Sequence, residues 1–308
     1  MKIGIIGAGY VGSATAFSLI MTSVAHKVIL VDLNEKKAQA EAMDIAHAAP
    51  FASAGKIKAG NYTDLQGCEI VVITAGANQK PGETRLDLLS RNVKIFENII
   101  PQVVANAPDS ILLIATNPVD IMTKVALKLS GFAKTRVIGS GTVLDTARFR
   151  NLLGLYLGAS TKSVHADVLG EHGDSEVLIW SSAEAGTLSL EEYAAQAGKE
   201  LDEHIKSEIT DGVVNAAYKI IDGKGATYYG IAGAITHICR AISNNEYAIL
   251  TVSSEHDDVL GVNQVCMSLP TVINRQGVYR VIKPKISEKE EKLLRISAQK
   301  ISDFSQNL

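Results

Sequence analysis

The chain has 308 residues, a net charge of −3, and 46% hydrophobic and 20% charged residues. That length suits two domains or one large one with a buried core, and the mild negative charge gives no reason to expect nucleic acid or an anionic membrane as partner. The three cysteines, Cys68, Cys239 and Cys266, make no CxxC pair and no metal-ligand spacing, so reduced thiols in a cytosolic protein are expected, with no metal site.

The chain opens with Lys2 ahead of an apolar run to Met21, and Ala14-Thr15-Ala16 imitates a signal-peptidase site. Gly4, Gly7, Gly9 and Gly12 would break the helix of a signal core, so a strand, a turn and a helix are expected instead. Residues 3–6, 28–31, 70–74 and 111–115 are short, β-branched apolar runs bounded by Gly, Asp, Asn or Pro, which predicts buried parallel strands. Between them lie helical patterns such as 85–104, where Leu88, Leu89, Phe96, Ile99, Ile100 and Val103 recur at helical spacing. This alternation predicts an α/β fold with a doubly wound parallel sheet. The second half reads as a smaller α+β unit. It carries a long helical pattern over 189–221 opened by a capping box of Ser189 and Glu192, then a helix over 226–244. Strands follow at 249–252, 265–269 and 277–282, and an amphipathic helix over 287–304 is opened by Ser287 and Glu290. The expected domains are 1–142 and 143–308.

Gly7-Ala8-Gly9-Tyr10-Val11-Gly12 is a GxGxxG that follows a strand and opens a helix. Gly7 permits the tight turn, Gly9 admits a pyrophosphate, and Gly12 lets helix and strand pack closely. The helix N-terminus then presents N–H groups to phosphate. Asp32, twenty residues beyond Gly12 at the end of the second strand, suits ribose hydroxyls and would repel a 2′-phosphate, which favours NAD over NADP. The alternative is a set of turn glycines with Asp32 capping the next helix. Tyr62 and the Gly76-Ala77 turn are further candidates for the cofactor crevice.

Several polar residues could serve chemistry. Asn78-Gln79-Lys80-Pro81-Gly82 has the polar and glycine content of a mobile lid and precedes Arg85. Asn117-Pro118 follows the fourth strand, at the sheet edge where ligands bind. Asp145 and Arg148 sit three apart on one helix face. His172 lies in the turn LGEHGD. A histidine beside a carboxylate suits acid/base work, and a guanidinium suits a substrate carboxylate. Singly, each has a plainer reading: a helix-end charge with a surface partner, a turn histidine, a solvated face.

Together, GAGYVGSATA, TAGANQKPGETRLDLLSRN, ATNPVD, GSGTVLDTARFR, GEHGD and KGATYYGIA resemble the 2-hydroxy-acid dehydrogenases that include the lactate and malate dehydrogenases. The match runs from residue 7 to beyond 230, and NQKPGETR is similar to the bacterial-type, NAD-dependent L-lactate branch. The resemblance implies hydride transfer between NADH and pyruvate, giving L-lactate and NAD. It implies His172 as acid/base paired with Asp145, Arg148 gripping the substrate carboxylate, and Arg85 polarising the carbonyl. It also implies that Asn117 and Ser140 position substrate and nicotinamide, that Thr227 lines the substrate pocket, and that Val11 and Lys37 join the cofactor set. Malate enzymes carry arginine where this chain has Gln79; a second carboxylate opposite a glutamine lacks a countercharge, so pyruvate is the expected substrate. Arg150 and His165 match positions at which allosteric bacterial members bind fructose 1,6-bisphosphate between subunits. The first strand begins near the N-terminus, without the arm of vertebrate members, so a homotetramer must rest on other surfaces and a dimer is the alternative. Leu178 stands where close relatives often carry proline. A cytoplasmic enzyme of glycolysis and fermentation is expected; the rivals are a malate dehydrogenase and a catalytically idle NAD-binding structural protein.

Overall fold

The computed structural model describes residues 1–52, 55–77 and 85–305, with Arg85 and Leu86 described by backbone alone. The chain forms two compact units. Unit 1 holds Met1–Ser140, Tyr228–Ile249 and Thr271–Arg280; unit 2 holds Gly141–Thr227, Leu250–Pro270 and Val281–Leu308. The first crossing, between Ser140 and Gly141, lies close to the division expected at 142, but the chain then returns to unit 1 twice.

Unit 1 begins with β1 (Lys2–Ile6), α1 (Tyr10–Met21), β2 (Lys27–Val31), α2 (Glu35–Ala48), β3 (Lys56–Ala59), β4 (Ile70–Ile73), α3 (Arg85–Asn106), β5 (Ile111–Ile114), α4 (Val119–Ser130) and β6 (Val137–Gly139). These strands lie in the order β6-β5-β4-β1-β2-β3. All neighbours run parallel: Ile3 pairs with Val28 on one side and with Ile70 on the other. Every residue of β4 and β5 is buried, as strands covered on both faces require. The order reverses at β1, so the crevice beyond the carboxyl ends of β1 and β4 is where such a sheet takes a ligand. The helices present apolar stripes to it; in α2 the buried residues Ala38, Ala42 and Ile45 follow helical spacing.

Unit 2 opens with α5 (Val143–Leu157), β7 (Val164–Leu169), β8 (Val177–Ala185), the short β9 (Leu188–Ser189), α6 (Leu190–Gln196), α7 (Glu203–Val214) and α8 (Ala216–Lys224). The single helix expected over 189–221 is three. The capping box of Ser189 and Glu192 does open α6. Gly198, at φ +68°, then leaves the helical region, and Asp202 starts α7 by accepting the Ile205 N–H at 2.8 Å. Apolar spacing runs through the first break because α6 and α7 each turn a face to one core, around Phe149, Leu153, Val168 and Leu190, whereas α8 buries no residue.

The chain re-enters unit 1 as α9 (Tyr229–Ser243), whose buried face packs on α1, with Thr236 Oγ1 donating to Ser18 Oγ at 2.9 Å. β10 (Ala248–Leu250) follows. In unit 2 comes the antiparallel pair β11 (Ser253–Val259) and β12 (Val262–Ser268). β13 (Thr271–Asn274) and β14 (Gly277–Val281) then join β10 in a three-stranded sheet. The expected strand at 249–252 thus ends at Leu250, and β11 lies beyond it. The sequence of β11, SSEHDDV, hides a strand because its buried residues Ser253, Ser254 and His256 are polar. α10 (Glu288–Ser305) closes the chain, opened by the expected capping box: the Ser287 N–H donates to Glu290 Oε2 at 2.8 Å and the Glu290 N–H to Ser287 Oγ at 3.3 Å.

Candidate active site

The glycine turn of unit 1 is built for a close visitor. Gly7 has φ +109°, and a Cβ there would lie 2.8 Å from the Ala75 nitrogen. A Cβ on Gly12 would lie 1.8 Å from the Gly7 carbonyl oxygen, whereas a Cβ on Gly9 would meet nothing within 4 Å. Two glycines therefore serve internal packing, and the third opens the N-terminus of α1 to a ligand, as a pyrophosphate needs. Asp32 Oδ2 accepts the Ala8 N–H at 2.6 Å and Oδ1 accepts the Asn34 N–H at 2.8 Å. The cap of α2 is Asn34, which accepts the Lys37 N–H at 3.1 Å, so Asp32 ties the glycine turn to the end of β2 and is not the helix cap. The phenol of Tyr62 is pushed above its ordinary range by burial and, second, by the negative charge of Asp32, which puts the two side chains in one electrostatic neighbourhood. Val11 is half-buried and Lys37 exposed.

On the other side of the sheet's reversal, Gly76 is obliged to be glycine: a Cβ there would lie 2.5 Å from Thr116 Cγ2. The buried Asn92 of α3 accepts the Ala77 N–H at 2.8 Å and donates to the Asn117 carbonyl at 2.8 Å. One amide thus joins two of the expected crevice segments. Sequence reasoning missed Asn92, although RLDLLSRN places it on the inner face of α3. Ser140 is buried and its N–H donates to the Ile114 carbonyl at 2.8 Å.

Unit 2 carries the ionisable cluster. Asp145 sits in the first turn of α5 with its side chain 2% exposed. Oδ1 accepts from the Arg148 guanidinium at 2.5 Å, and Oδ2 meets His172 Nδ1 at 2.7 Å. This is no surface pair. Burial alone would push the Asp145 carboxyl up; the adjoining His172, through its charge and its hydrogen bond, and then Arg148, outweigh that and hold it below the ordinary range. The carboxylate is therefore ionised and fixes the orientation of the ring.

The loop that presents His172 is braced from α10. The fully buried Ser297 accepts the Glu171 N–H at 2.8 Å, and Lys300 reaches Glu171 Oε2 at 2.7 Å. Ser175 Oγ also donates to Glu171 Oε2, and a Cβ on Gly170 would lie 2.6 Å from Ser297 Oγ. Sequence reasoning missed Glu176 as well: a carboxylate oxygen of Glu176, one of Asp145 and a ring nitrogen of His172 all lie within 4.8 Å of one another. Its place in GEHGDSE, four residues past His172, was the available signal.

The remaining expected residues are placed as follows. Thr227 is half-buried in the segment between α8 and α9. Arg150 Nε donates to the Ala166 carbonyl at 2.8 Å and its Nη2 pairs with Asp167 Oδ1 at 2.8 Å, while His165 is exposed on β7. Leu178 is buried in β8 opposite Val168. Gln79 lies outside the described residues, and Arg85 begins α3.

Residues 1–139 match the NAD binding domain of the lactate/malate dehydrogenases, and residues 142–305 match their alpha/beta C-terminal domain. The chain belongs to the lactate/malate dehydrogenase family. It is 52% identical over 305 residues to an L-lactate dehydrogenase of Allorhizobium ampelinum, covering 99% of this chain and 98% of the relative. It is 50% identical to that of Thermus aquaticus, over 97% of this chain and 96% of the relative. A lactate dehydrogenase structure from a Medee basin deep-sea metagenome library superimposes with TM-score 0.96 at 40% identity, over 99% of this chain and 98% of that one. The ligand-bound minor L-lactate dehydrogenase of Enterococcus mundtii does so with TM-score 0.96 at 38% identity, over 100% and 98%. The family's NAD-binding domain and the open face at Gly9 agree: the cofactor is NAD.

Proposed function

We propose that this chain is an NAD-dependent L-lactate dehydrogenase, carrying out reversible hydride transfer between NADH and pyruvate. The carrying observation is the buried His172–Asp145–Arg148 cluster on a chain that matches L-lactate dehydrogenases along its whole length. When bound, the nicotinamide supplies or accepts the hydride. The protein's residues do the rest. With Nδ1 committed to Asp145, the other ring nitrogen of His172 gives a proton to the carbonyl oxygen during reduction and takes it back during oxidation. Ionised Asp145 stabilises the imidazolium. Arg148 spends one nitrogen on Asp145, and its remaining donors suit the substrate carboxylate. Arg85 polarises the carbonyl, Asn117 and Ser140 position substrate and nicotinamide, and Thr227 lines the pocket. Gly7, Gly9, Val11, Gly12, Asp32, Lys37, Tyr62, Gly76 and Ala77 form the cofactor cradle.

Gln79 supports pyruvate over oxaloacetate, because a second carboxylate opposite a neutral amide is desolvated without a partner. Initial rates of NADH oxidation with the two acids test this: a strong preference for pyruvate is expected, and preference for oxaloacetate overturns it in favour of a malate dehydrogenase. Turnover kept by His172→Asn overturns the acid/base assignment, and turnover of neither acid supports the idle-fold reading. Arg150 of α5 bonds to Ala166 and Asp167 of β7, the strand that carries exposed His165, and two cations near one another support a fructose 1,6-bisphosphate site, with a homotetramer as the assembly proposed to hold it. An unchanged pyruvate KM and oligomer distribution at saturating fructose 1,6-bisphosphate removes that reading. No helix among the described residues is long and apolar enough to cross a membrane.

A further inference from the structure

Glu176 is the one ionisable group of the cluster to which the mechanism assigns no task. It closes the turn after His172, with its N–H donating to the Gly173 carbonyl at 3.0 Å. That turn folds the chain back, so the Glu176 carboxyl comes within 4.8 Å of both the Asp145 carboxylate and a His172 ring nitrogen. The charged groups that act on it are Asp145 and Arg148 on α5 and Glu171 and His172 on its own loop, and Glu171 is itself paired with Lys300 of α10 at 2.7 Å. Two carboxyls thus share one imidazole and one guanidinium, and the arrangement treats them differently. Asp145 accepts a hydrogen bond from the Arg148 guanidinium, meets the His172 Nδ1 at 2.7 Å and stays ionised. Glu176 is pushed up to about 8, by burial first and then by the negative charge of Asp145; His172 and Arg148 oppose the rise, and Glu171 adds to it. Near neutral pH, Glu176 therefore holds its proton.

We infer that Glu176 is a positioning residue that acts through His172: neutral, it leaves the cluster cationic enough to accept an anionic acid, and ionised, it holds the proton on the ring. The inference rests on His172 being the acid/base. It adds no step to the reaction, since the proton still passes between His172 and the substrate oxygen. Its consequences are directional. In pyruvate reduction, ionisation of Glu176 sets a second negative charge beside the place of the substrate carboxylate, so KM for pyruvate rises as pH passes about 8. In lactate oxidation the ring must be neutral, and ionised Glu176 opposes that, so the alkaline gain in rate is delayed. Because the two groups interact, their protons leave in two overlapping steps that belong to the pair.

The test is Glu176→Gln, which preserves the shape of the neutral acid, with Glu176→Ser as a second variant. Two readouts are needed. The first is kcat and KM in both directions from pH 6 to 9.5. The second needs no turnover: the pH dependence of acylation of residue 172 by diethyl pyrocarbonate, followed by peptide mapping, with His172→Asn as the blank. In the wild type, acylation is expected to follow a broad curve of two overlapping steps. In Glu176→Gln it should become a single-group curve displaced to lower pH by roughly half a unit or more. The part of the rise in pyruvate KM that sets in near pH 8 should be lost, the decline that follows deprotonation of His172 should move to lower pH, and lactate oxidation should gain its rate at lower pH. Superimposable acylation curves for wild type and both variants overturn the inference. Failure of the acid/base reading itself looks different, since His172→Asn would then keep its turnover whatever the acylation curves show.

Discussion

Replacing Glu290 by alanine removes the carboxylate that fastens α10 to β8. That side chain is 7% exposed, and it accepts the backbone N–H groups of Trp180 at 2.8 Å, Ser181 at 3.0 Å and Ser287 at 2.8 Å, with both serine hydroxyls donating to Oε2. A hydrogen bond to a charged acceptor contributes roughly 1.5–3 kcal/mol, and an amide left buried without a partner costs about as much. The Ser287 N–H, at the helix start, can turn to water, and so can the hydroxyls. Counting only the two amides in β8 gives a loss of about 3–6 kcal/mol for Glu290→Ala. For a unit of this size that corresponds to a fall in Tm of roughly 10 °C. Differential scanning calorimetry at pH 7 with saturating NADH, at one fixed protein concentration, reads it. A fall under about 2 °C would refute the reasoning, because the amides would then have found other acceptors. The pH dependence carries a sign. Burial alone would raise the Glu290 carboxyl, but the serine hydroxyls and backbone amides outweigh it and hold it below its usual 4.5. A depressed carboxyl contributes stability above that value and loses it as pH falls through the folded pKa. The difference between wild type and Glu290→Ala should therefore shrink as pH drops below about 4.5.

Three further substitutions probe the two binding faces. Gly12→Ala places a methyl 1.8 Å from the Gly7 carbonyl, a backbone atom that cannot step aside, so NADH affinity measured by fluorescence titration should fall at least about tenfold while α10 and its brace stay intact. Asp145→Asn removes the charge that holds His172, and kcat for pyruvate reduction should drop by roughly 10²–10⁴-fold with little change in NADH binding. Ser297→Ala frees the Glu171 amide one residue before His172; stopped-flow and steady-state assays should show kcat falling by about threefold to tenfold with the Kd for NADH unchanged.

The parallel sheet was legible because β1, β2, β4 and β5 are short apolar runs rich in isoleucine and valine, the pattern of strands covered on both faces. β11 escaped notice for the opposite reason. Most of its inward residues are polar: His256 Nε2 meets the Met267 carbonyl at 3.0 Å across the hairpin, while the buried hydroxyls of Ser253 and Ser254 find no partner among the described residues, and only Val259 is apolar. The helical run over 189–221 misled because apolar periodicity reports which face is buried and passes over a glycine at φ +68° or an aspartate cap inside the run. At the site, His172, Asp145 and Arg148 could be named from motif, and Asp145 and Arg148 from helical spacing. For Asn92 and Glu176 the sequence offered a place beside a motif and no role, and for Ser297 not even that, since each depends on a contact made by folding: an amide spanning two loops, a carboxyl brought back by a turn, and a hydroxyl from the far end of the chain.

The two returns of the chain to unit 1 bear on how this enzyme can be taken apart. A cut after residue 139 follows the boundary between the two family domains, yet it strips α9 from α1 and β10, β13 and β14 from the same unit. The amino-terminal fragment would then present the α1 surface that Thr236 and its helix cover in the whole chain. Such a fragment should be insoluble when expressed alone, and a single recombination point could not exchange cofactor specificity between relatives cleanly. A transplant would have to carry three separate stretches of chain together, so the cofactor half of this enzyme is inherited as a braid and not as a block.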